Sequence, residues 1–202
     1  MRVAALAFLS LAATWHAQQR DIVRTPVRAE FRIFSGTGEV TASTRLRVMR
    51  SGTRDQPIAV TSGNQLIAHL VPGIYDVQAL LLRNEAVVQI KWAERLVVMY
   101  YPDEDGRHLE VINFQAGFGA LQVRTAPGTL RAYEVMAFPA ATRSTPVAPA
   151  GALDDYLLFV LPAGRYDLRV RPAGVSDNSD ATRWFLDIEV PADRTRMKFI
   201  GS

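Results

Sequence analysis

The sequence lacks cysteine entirely and has only 3 histidines in 202 residues. Without cysteine, disulfides, thiolate metal sites, a cysteine nucleophile and the lipid-anchoring cysteine of bacterial lipoproteins are all excluded. With so few histidines, a transition-metal site would have to take most of its ligands from carboxylates. Stability must come from packing, which the hydrophobic content of 49% makes feasible.

An excess of charge of one sign is also missing. The 23 basic and 20 acidic residues are mixed along the chain, giving a net charge of +3 without a basic block. Because a polyphosphate partner requires clustered positive charge, nucleic acid is not expected as a partner. No apolar run approaches the roughly 20 residues that a membrane helix needs, so no membrane span is expected.

The N-terminus has the pattern of a secretory signal peptide. Arg2 precedes an apolar or small run from Val3 to Thr14, and a short polar stretch follows. We expect a signal peptide over residues 1–17, cleaved after Ala17, and a linker over 18–28. A buried N-terminal helix or an uncleaved anchor is the alternative. The pattern predicts an exported protein, periplasmic or extracellular.

The chain contains an internal repeat. The segment 71–77 (VPGIYDV) returns at 161–168 (LPAGRYDL), which places Tyr166 91 positions after Tyr75. Further pairs are Val48-Met49 with Val135-Met136 at an offset of 87, Pro57-Ile58-Ala59 with Pro146-Val147-Ala148 at 89, and Lys91-Trp92 with Arg183-Trp184 at 92. A repeat of this length suits two small domains, expected at 29–116 and 117–202 with a joint near Gly117.

Alternation of apolar and polar residues predicts strands. Tyr166, Leu168 and Val170 alternate with charged residues, and a Pro-Ala-Gly turn precedes them. Residues 79–99 are also compatible with a helical stripe, but their counterpart at 184–190 alternates by two and favours strands. The expected strands are 30–34, 44–50, 66–71, 74–83, 87–92, 96–101, 108–114, 120–123, 131–138, 156–161, 165–171, 184–190 and 196–200, with a hairpin turn at 102–106. Short strands with turn signals between them predict two tandem antiparallel β-sandwiches, an all-β fold.

The repeated hairpin resembles known bacterial modules. An apolar strand, Pro-Gly or Pro-x-Gly, and then Tyr-Asp with an aliphatic residue is similar to carboxypeptidase regulatory-like and PEGA modules, and to Ig-like repeats of secreted bacterial proteins. The likeness is carried in the first copy by Pro72, Gly73, Tyr75, Asp76 and Val77, and in the second copy by Pro162, Gly164, Tyr166, Asp167 and Leu168. The resemblance implies a transthyretin-like sandwich with the tyrosine in the core and a non-catalytic accessory, adhesive or spacer role.

No catalytic, metal or cofactor site is predicted. His69 is interpreted as a partly buried or edge histidine, and His108 as a solvated strand end. The acidic loops at 103–106 and 177–180 offer oxygen ligands for calcium, but both are interpreted as turns. Asp154-Asp155 is interpreted as an exposed strand entry.

Surface features give the expected function. An apolar excess in the first copy predicts a covered face, with the sister domain or another protein as its cover; the predicted partner surface is Leu80, Leu82, Val97, Met99, Tyr100 and Tyr101.

Trp92 and Trp184 occupy matching positions, which favours a shared core role, whereas exposed Tyr133 and Trp184 would indicate a ligand site. Arg165, Arg169 and Arg171 are expected on a solvated face. The prediction is an exported, non-enzymatic binding or scaffolding module for a protein or envelope polymer. A carbohydrate-binding module and a hydrolase with a carboxylate-based site are the alternatives.

Overall fold

A computed structural model describes residues 25–100, 107–126, 128–143, 145–147, 149–152, 156–176 and 180–201. Within these ranges the chain forms strands and two single-turn 3-10 segments, Thr41–Ser43 and Leu130–Ala132. The strands are β1 Val27–Ser35, β2 Gly38–Glu39, β3 Thr44–Arg50, β4 Ala59–Ser62, β5 Leu66–Leu70, β6 Gly73–Arg83, β7 Ala86–Val98, β8 Arg107–Asn113, β9 Phe118–Arg124, β10 Tyr133–Pro139, β11 Gly151–Ala152, β12 Tyr156–Pro162, β13 Gly164–Pro172, β14 Arg183–Val190 and β15 Thr195–Phe199. None of the helical segments in the described residues has the length and hydropathy to cross a membrane.

The chain divides into two compact units. Among the described residues, the first unit contains 25–31 and 42–109, and the second contains 32–41 and 110–201. The dividing lines therefore fall inside β1 and β8. The domain limits expected from the sequence, 29–116 and 117–202, stay a prediction, and β1 begins at Val27, inside the segment expected to be a linker.

The first unit consists of two sheets. One has the strand order β4-β3-β6-β7, with all three pairings antiparallel. In the other, β1 pairs with β5 in antiparallel register from Val27 opposite Leu70 to Phe31 opposite Leu66, and β8 also pairs with β1. Both sheets bury alternate apolar residues, for example Ala29 and Phe31 in β1 and Leu46 and Val48 in β3. This is the predicted sandwich.

The second unit repeats this arrangement. One sheet has the order β10-β13-β14 and the other β11-β12-β9-β15. The pairing of β15 with β9 is parallel, which departs from the purely antiparallel expectation. The core includes side chains of both sheets, among them Leu121, Phe159, Val135, Leu168 and Ile188. Two tandem sandwiches are therefore confirmed as the fold.

Backbone register gives the correspondence between the two copies. Val48 lies opposite Val77 and Ala137 lies opposite Leu168, so the β3 and β10 positions are 89 apart. The same offset holds one step further, since the amide of Ile58 donates to Val48 O at 2.8 Å and that of Val147 to Ala137 O at 2.7 Å. The proposed match of Val48-Met49 with Val135-Met136 at an offset of 87 is therefore wrong by two residues. The dipeptides are alike, but cross-strand pairing sets the alignment.

The remaining offsets are confirmed. Tyr75 and Tyr166 occupy equivalent positions 91 apart, and Trp92 opposite Gln78 corresponds to Trp184 opposite Arg169. Residues 79–83 and 86–98 are in strands and not in a helix, as predicted. The strands expected at 87–92 and 96–101 form one long strand, β7, whose pairing with β6 is interrupted by bulges. The hairpin turn expected at 102–106 lies outside the described residues.

The two copies differ at one hairpin end. Between β6 and β7 the turn is two residues, Asn84 and Glu85, with φ values of 50° and 66°. Positive φ at both central residues is typical of a type I′ turn, whose twist matches that of the flanking strands. In the second copy, residues 173–182 make the same connection between β13 and β14.

Candidate functional site

Each copy has a tyrosine that closes its own hairpin. The Tyr75 hydroxyl donates to the carbonyl oxygen of Val71, and the Tyr166 hydroxyl donates to that of Pro162 at 2.8 Å. Both rings are buried, and burial raises the pKa of Tyr75 and Tyr166 above the ordinary tyrosine value. The shared surroundings confirm that these tyrosines are core residues of a repeated structural corner.

The aspartate after each tyrosine binds a β-bulge. The Arg95 amide donates to Asp76 Oδ1 at 2.9 Å, and the equivalent Asp187 amide donates to Asp167 Oδ1 at 2.8 Å. Both donor residues have positive φ, 54° and 59°, which removes their N–H groups from the ladder. The bond from the Arg95 amide is the main reason why the pKa of Asp76 is lowered, with further contributions from Gly52 and Ser51.

An arginine covers each repeated tryptophan. The Arg54 guanidinium lies 4.8 Å from the Trp92 ring centroid, and that of Arg143 lies 5.3 Å from the Trp184 centroid. These arginines are 89 positions apart, so the arrangement belongs to the repeat. The tryptophans lie on the outward side of their strands, and Trp184 is 40% exposed. The predicted core role of the tryptophans is wrong, because the covering comes from arginine and not from the opposite sheet.

The outward side of the β4-β3-β6-β7 sheet combines apolar residues with arginines. Cross-strand register forms one row of Ser62, Arg45, Leu80 and Ile90 and a second row of Val60, Arg47, Gln78 and Trp92. Leu82 and Val87 are paired beyond the first row. We name this surface the first outer face; it comprises Arg45, Arg47, Val60, Gln78, Leu80, Leu82, Val87, Ile90 and Trp92.

Much of the apolar surface on the first outer face is exposed. Val60 is 58% exposed, Ile90 54% and Val87 48%. No described carboxylate pairs with Arg45 or Arg47, both of which are exposed. β7 is also the edge strand of its sheet. The first outer face thus combines an apolar strip with two arginines that no described carboxylate pairs.

On the corresponding side of the β10-β13-β14 sheet, which we name the second outer face, three arginines contact carboxylates or an aromatic ring. Arg171 pairs with Glu134 at 2.5 Å. In the first copy the position of Glu134 is taken by Arg45 and that of Arg171 by Leu80. Arg169 lies 5.3 Å from the Phe138 ring centroid, and Arg165 pairs with Asp187. The predicted arginine row is on an outward face, and its members are already engaged.

The predicted partner surface is only partly at the surface. Val97 and Met99 are 50% and 46% exposed, and Leu82 is half-buried on the first outer face. Leu80 is only 5% exposed because Arg45 and Ile90 flank it in its row, so its assignment to a contact surface is corrected. Tyr100 is half-buried, and Tyr101 lies outside the described residues. The strongly exposed Val60, Val87 and Ile90 were not predicted.

The two predicted ligand aromatics do not share a face. Tyr133 packs against the second unit's core, whereas Trp184 lies on the second outer face beside Arg169. Phe138 and Trp184 have ring centroids 5.4 Å apart with planes at 49°, so they form a tilted pair. Tyr133 and Trp184 therefore cannot form one flat sugar-binding platform.

The structure tests the expected environments of the two histidines and leaves most of the acidic loops undescribed. His69 is exposed on the edge strand β5, as expected. His108 is 7% exposed in β8, so its assignment as a solvated strand end is wrong. The structure leaves residues 103–106, 154–155 and 177–179 undescribed, and Asp180 is exposed. Among the described residues, no group of three or more metal-ligating side chains is gathered.

Comparisons with known proteins give no family. No protein-family model matches the chain, and no curated protein matches it. Among solved structures, the chain is similar to the tip fimbrial protein Mfa3 of Porphyromonas gingivalis, with 9% identity, TM-score 0.32, and 88% of this chain and 95% of that chain covered. It is also similar to the minor pilin GBS52 of Streptococcus agalactiae, with 10% identity, TM-score 0.23, and 86% of this chain and 94% of that chain covered.

The chain is also similar to the Bacillus anthracis TIE protein, with 14% identity, TM-score 0.30 and 87% of this chain covered. It spans 34% of the length of that protein. At these values the likenesses assign neither a family nor a function. The resemblance to carboxypeptidase regulatory-like and PEGA modules stays a prediction.

Proposed function

We propose that this protein is an exported, non-catalytic binding module that uses the first outer face to hold a protein partner. The partner surface would present an apolar strip flanked by carboxylates. Export rests on the signal-peptide pattern of residues 1–17. The observation that carries the binding role is the exposure of Val60, Val87 and Ile90 around arginines that have no described carboxylate partner.

Burial and charge support this choice over the second unit. A sheet face in water normally carries polar residues, and a contiguous exposed apolar strip indicates an interaction surface. Because charge complementarity favours encounter and specificity, Arg45 and Arg47 select for an acidic partner. The second outer face is a weaker candidate for binding an acidic partner. Its Arg171 is already paired with Glu134, which occupies the position matching Arg45.

Site-specific photocrosslinking tests the proposal. A benzoylphenylalanine at position 90 of the full chain, expressed in the source organism, should crosslink one protein in near-stoichiometric yield. The matched control carries the same probe at position 186, since Leu186 is 57% exposed on the second unit's edge strand. Crosslinking from position 90 should fall at least about tenfold in Arg47→Glu, because charge reversal opposes an acidic partner.

Three results would overturn the proposal. Equal crosslinking from positions 90 and 186 would show that exposure alone accounts for capture. Insensitivity to Arg47→Glu would show that the arginines do not select the partner. A crosslink only to a second copy of this chain would replace the partner by self-association, which light scattering would show as a dimer.

A further inference from the structure

A surface cavity of about 420 Å³ lies at the tyrosine corner of the first unit. It is separate from the first outer face, and its lining includes two arginines and several apolar residues. The lining residues are Arg50, Ser51, Val71, Pro72, Gly73, Ile74, Tyr75 and Arg95. Among the described residues, this lining contains no carboxylate and no histidine.

The two arginines reach the cavity from different strands. Arg50 ends β3 directly opposite Tyr75, and Arg95 occupies the bulge of β7. No described carboxylate pairs with either side chain, since the nearby Asp76 is engaged by the Arg95 amide, the Gly52 amide and the Ser51 hydroxyl. Two arginines from different strands therefore line one cavity, and neither has an ion-pair partner among the described carboxylates.

The apolar part of the cavity lining limits which kind of anionic ligand the two arginines could hold. Val71 and Ile74 are 38% and 44% exposed, and Pro72 and the Tyr75 ring complete the lining. Ligand sites typically surround an apolar body with a few placed polar groups. A guanidinium matches the planar geometry of a carboxylate by donating two parallel hydrogen bonds.

The second copy shows that this feature is not a general property of the corner. The positions equivalent to Arg50 and Ser51 are Pro139 and Ala140, and the position equivalent to Arg95 is Asp187. Asp187 pairs with Arg165, the equivalent of Ile74, so charge is neutralised there. At this corner the first copy thus has two arginines, whereas the described residues of the second copy place Pro139 and the paired Asp187 at the same positions.

We propose that this cavity binds an organic carboxylate: a single carboxylate group, held by Arg50 and Arg95, on a compact apolar body that packs on Val71, Pro72 and Ile74. A free carboxylic acid and the C-terminal residue of a peptide both present this chemistry. The site does not depend on the proposed protein-binding role of the first outer face.

Amide NMR titration of the full chain without its signal peptide tests the site. The probes are 4-methylpentanoate and N-acetyl-alanyl-leucine, each compared with its uncharged carboxamide. We expect saturable shifts of the Ser51, Gly73 and Ile74 amides with the carboxylates, and none at Ala140, Gly164 and Arg165. Saturation by only one of the two carboxylates identifies the source, free acid or peptide end.

Variants separate a specific site from overall charge. Arg50→Gln and Arg95→Asn should each weaken binding at least about tenfold, since each removes one guanidinium. Asparagine is chosen at position 95 because it tolerates positive φ. Arg83→Gln is the matched control, an exposed arginine of the same unit with the same charge change, and should leave affinity within about twofold. The absence of saturable shifts, equal binding of the carboxamides, or equal loss in Arg83→Gln would overturn the proposal.

Discussion

The backbone amide of Arg95 donates a hydrogen bond of 2.9 Å to the carboxylate of Asp76. This bond fixes the residue that leaves the ladder between β6 and β7, and Asp187 and Asp167 repeat it at 2.8 Å in the second copy. The repeated Tyr-Asp motif therefore has two separate tasks. The tyrosine closes the hairpin through its hydroxyl, and the aspartate holds the bulge.

Removal of the Asp76 carboxylate should destabilise the protein. In Asp76→Ala the amides of Arg95 and Gly52 and the hydroxyl of Ser51 lose their acceptor, and we expect a loss of about 1–3 kcal/mol in the free energy of unfolding. Urea denaturation measures the loss. Asp55→Ala, at an exposed turn, should stay within about 0.5 kcal/mol of the parent. Equal stability of the two variants would contradict this role for Asp76.

The same carboxylate should make stability depend on acidity. Hydrogen bonds lower the pKa of Asp76 in the folded chain, first of all the bond from the Arg95 amide. Its stabilising contribution is therefore present above the unfolded pKa of about 4 and is lost as pH falls through the lower folded value. Urea midpoints between pH 6 and pH 2 should fall less steeply for Asp76→Asn than for the parent. Parallel curves would show that Asp76 does not contribute to this dependence.

Two tyrosines should ionise above the ordinary tyrosine pKa in alkaline solution. Burial raises the pKa of Tyr75 and Tyr166, so part of the phenolate absorbance near 295 nm should appear only above about pH 10. Tyr75→Phe and Tyr166→Phe should each remove one late-titrating group. Each should also cost about 0.5–1.5 kcal/mol of stability, through loss of the bond to Val71 or Pro162. A single titration step at the ordinary tyrosine pKa would contradict the burial argument.

The two arginines that cover the tryptophans, Arg54 and Arg143, should contribute unequally to the free energy of unfolding. Arg143 donates at 2.5 Å to Oδ2 of the buried Asp167, whereas Oδ2 of Asp76 receives the Gly52 amide instead of Arg54. We expect Arg143→Ala to cost about 1–3 kcal/mol, because a buried carboxylate oxygen loses its donor. Arg54→Ala should cost less than about 1 kcal/mol, as an exposed pair with Glu94 and a cation–π contact are lost. Chemical denaturation of both variants gives the comparison, and the reverse order would contradict it.

A glycine in β9 should not accept a side chain. A Cβ atom on Gly119 would lie 2.1 Å from the carbonyl oxygen of Pro191, so one backbone segment would have to move. We expect Gly119→Ala to cost about 1–3 kcal/mol, in the range of overpacked cores. Gly38→Ala is the control, because its nearest contact would be an ordinary 3.7 Å to Ser35. Thermal unfolding should separate the variants, and equal midpoints would contradict the close approach.

The strands and the internal repeat could be predicted from the sequence because both depend on local patterns of residues. The alternation around Tyr166 and the Pro-Gly turns predicted β6, β12 and β13 within a few residues. The Val48-Met49 match failed because two-letter likeness is weaker than cross-strand register. Hydrogen bonds between β3 and β6 involve residues about 30 positions apart, which a local pattern does not contain.

Predictions of side-chain burial were less successful, for a related reason. Leu80 points outward and is still covered by its row neighbours, while His108 is buried in β8. The arginines over Trp92 and Trp184 come from loops after β3 and β10. Covering of this kind arises from long side chains of other elements, so alternation along one strand cannot show it.

The two-residue turn at Asn84 and Glu85 holds the apolar strip in place. Because side chains of a strand alternate between faces, an insertion of one residue in this turn would send Val87 and Ile90 to the opposite side of the sheet. In the second copy β13 ends at Pro172 and β14 begins at Arg183, so the corresponding connection is ten residues long. The two-residue length of this turn therefore determines which side of the sheet Val87 and Ile90 occupy.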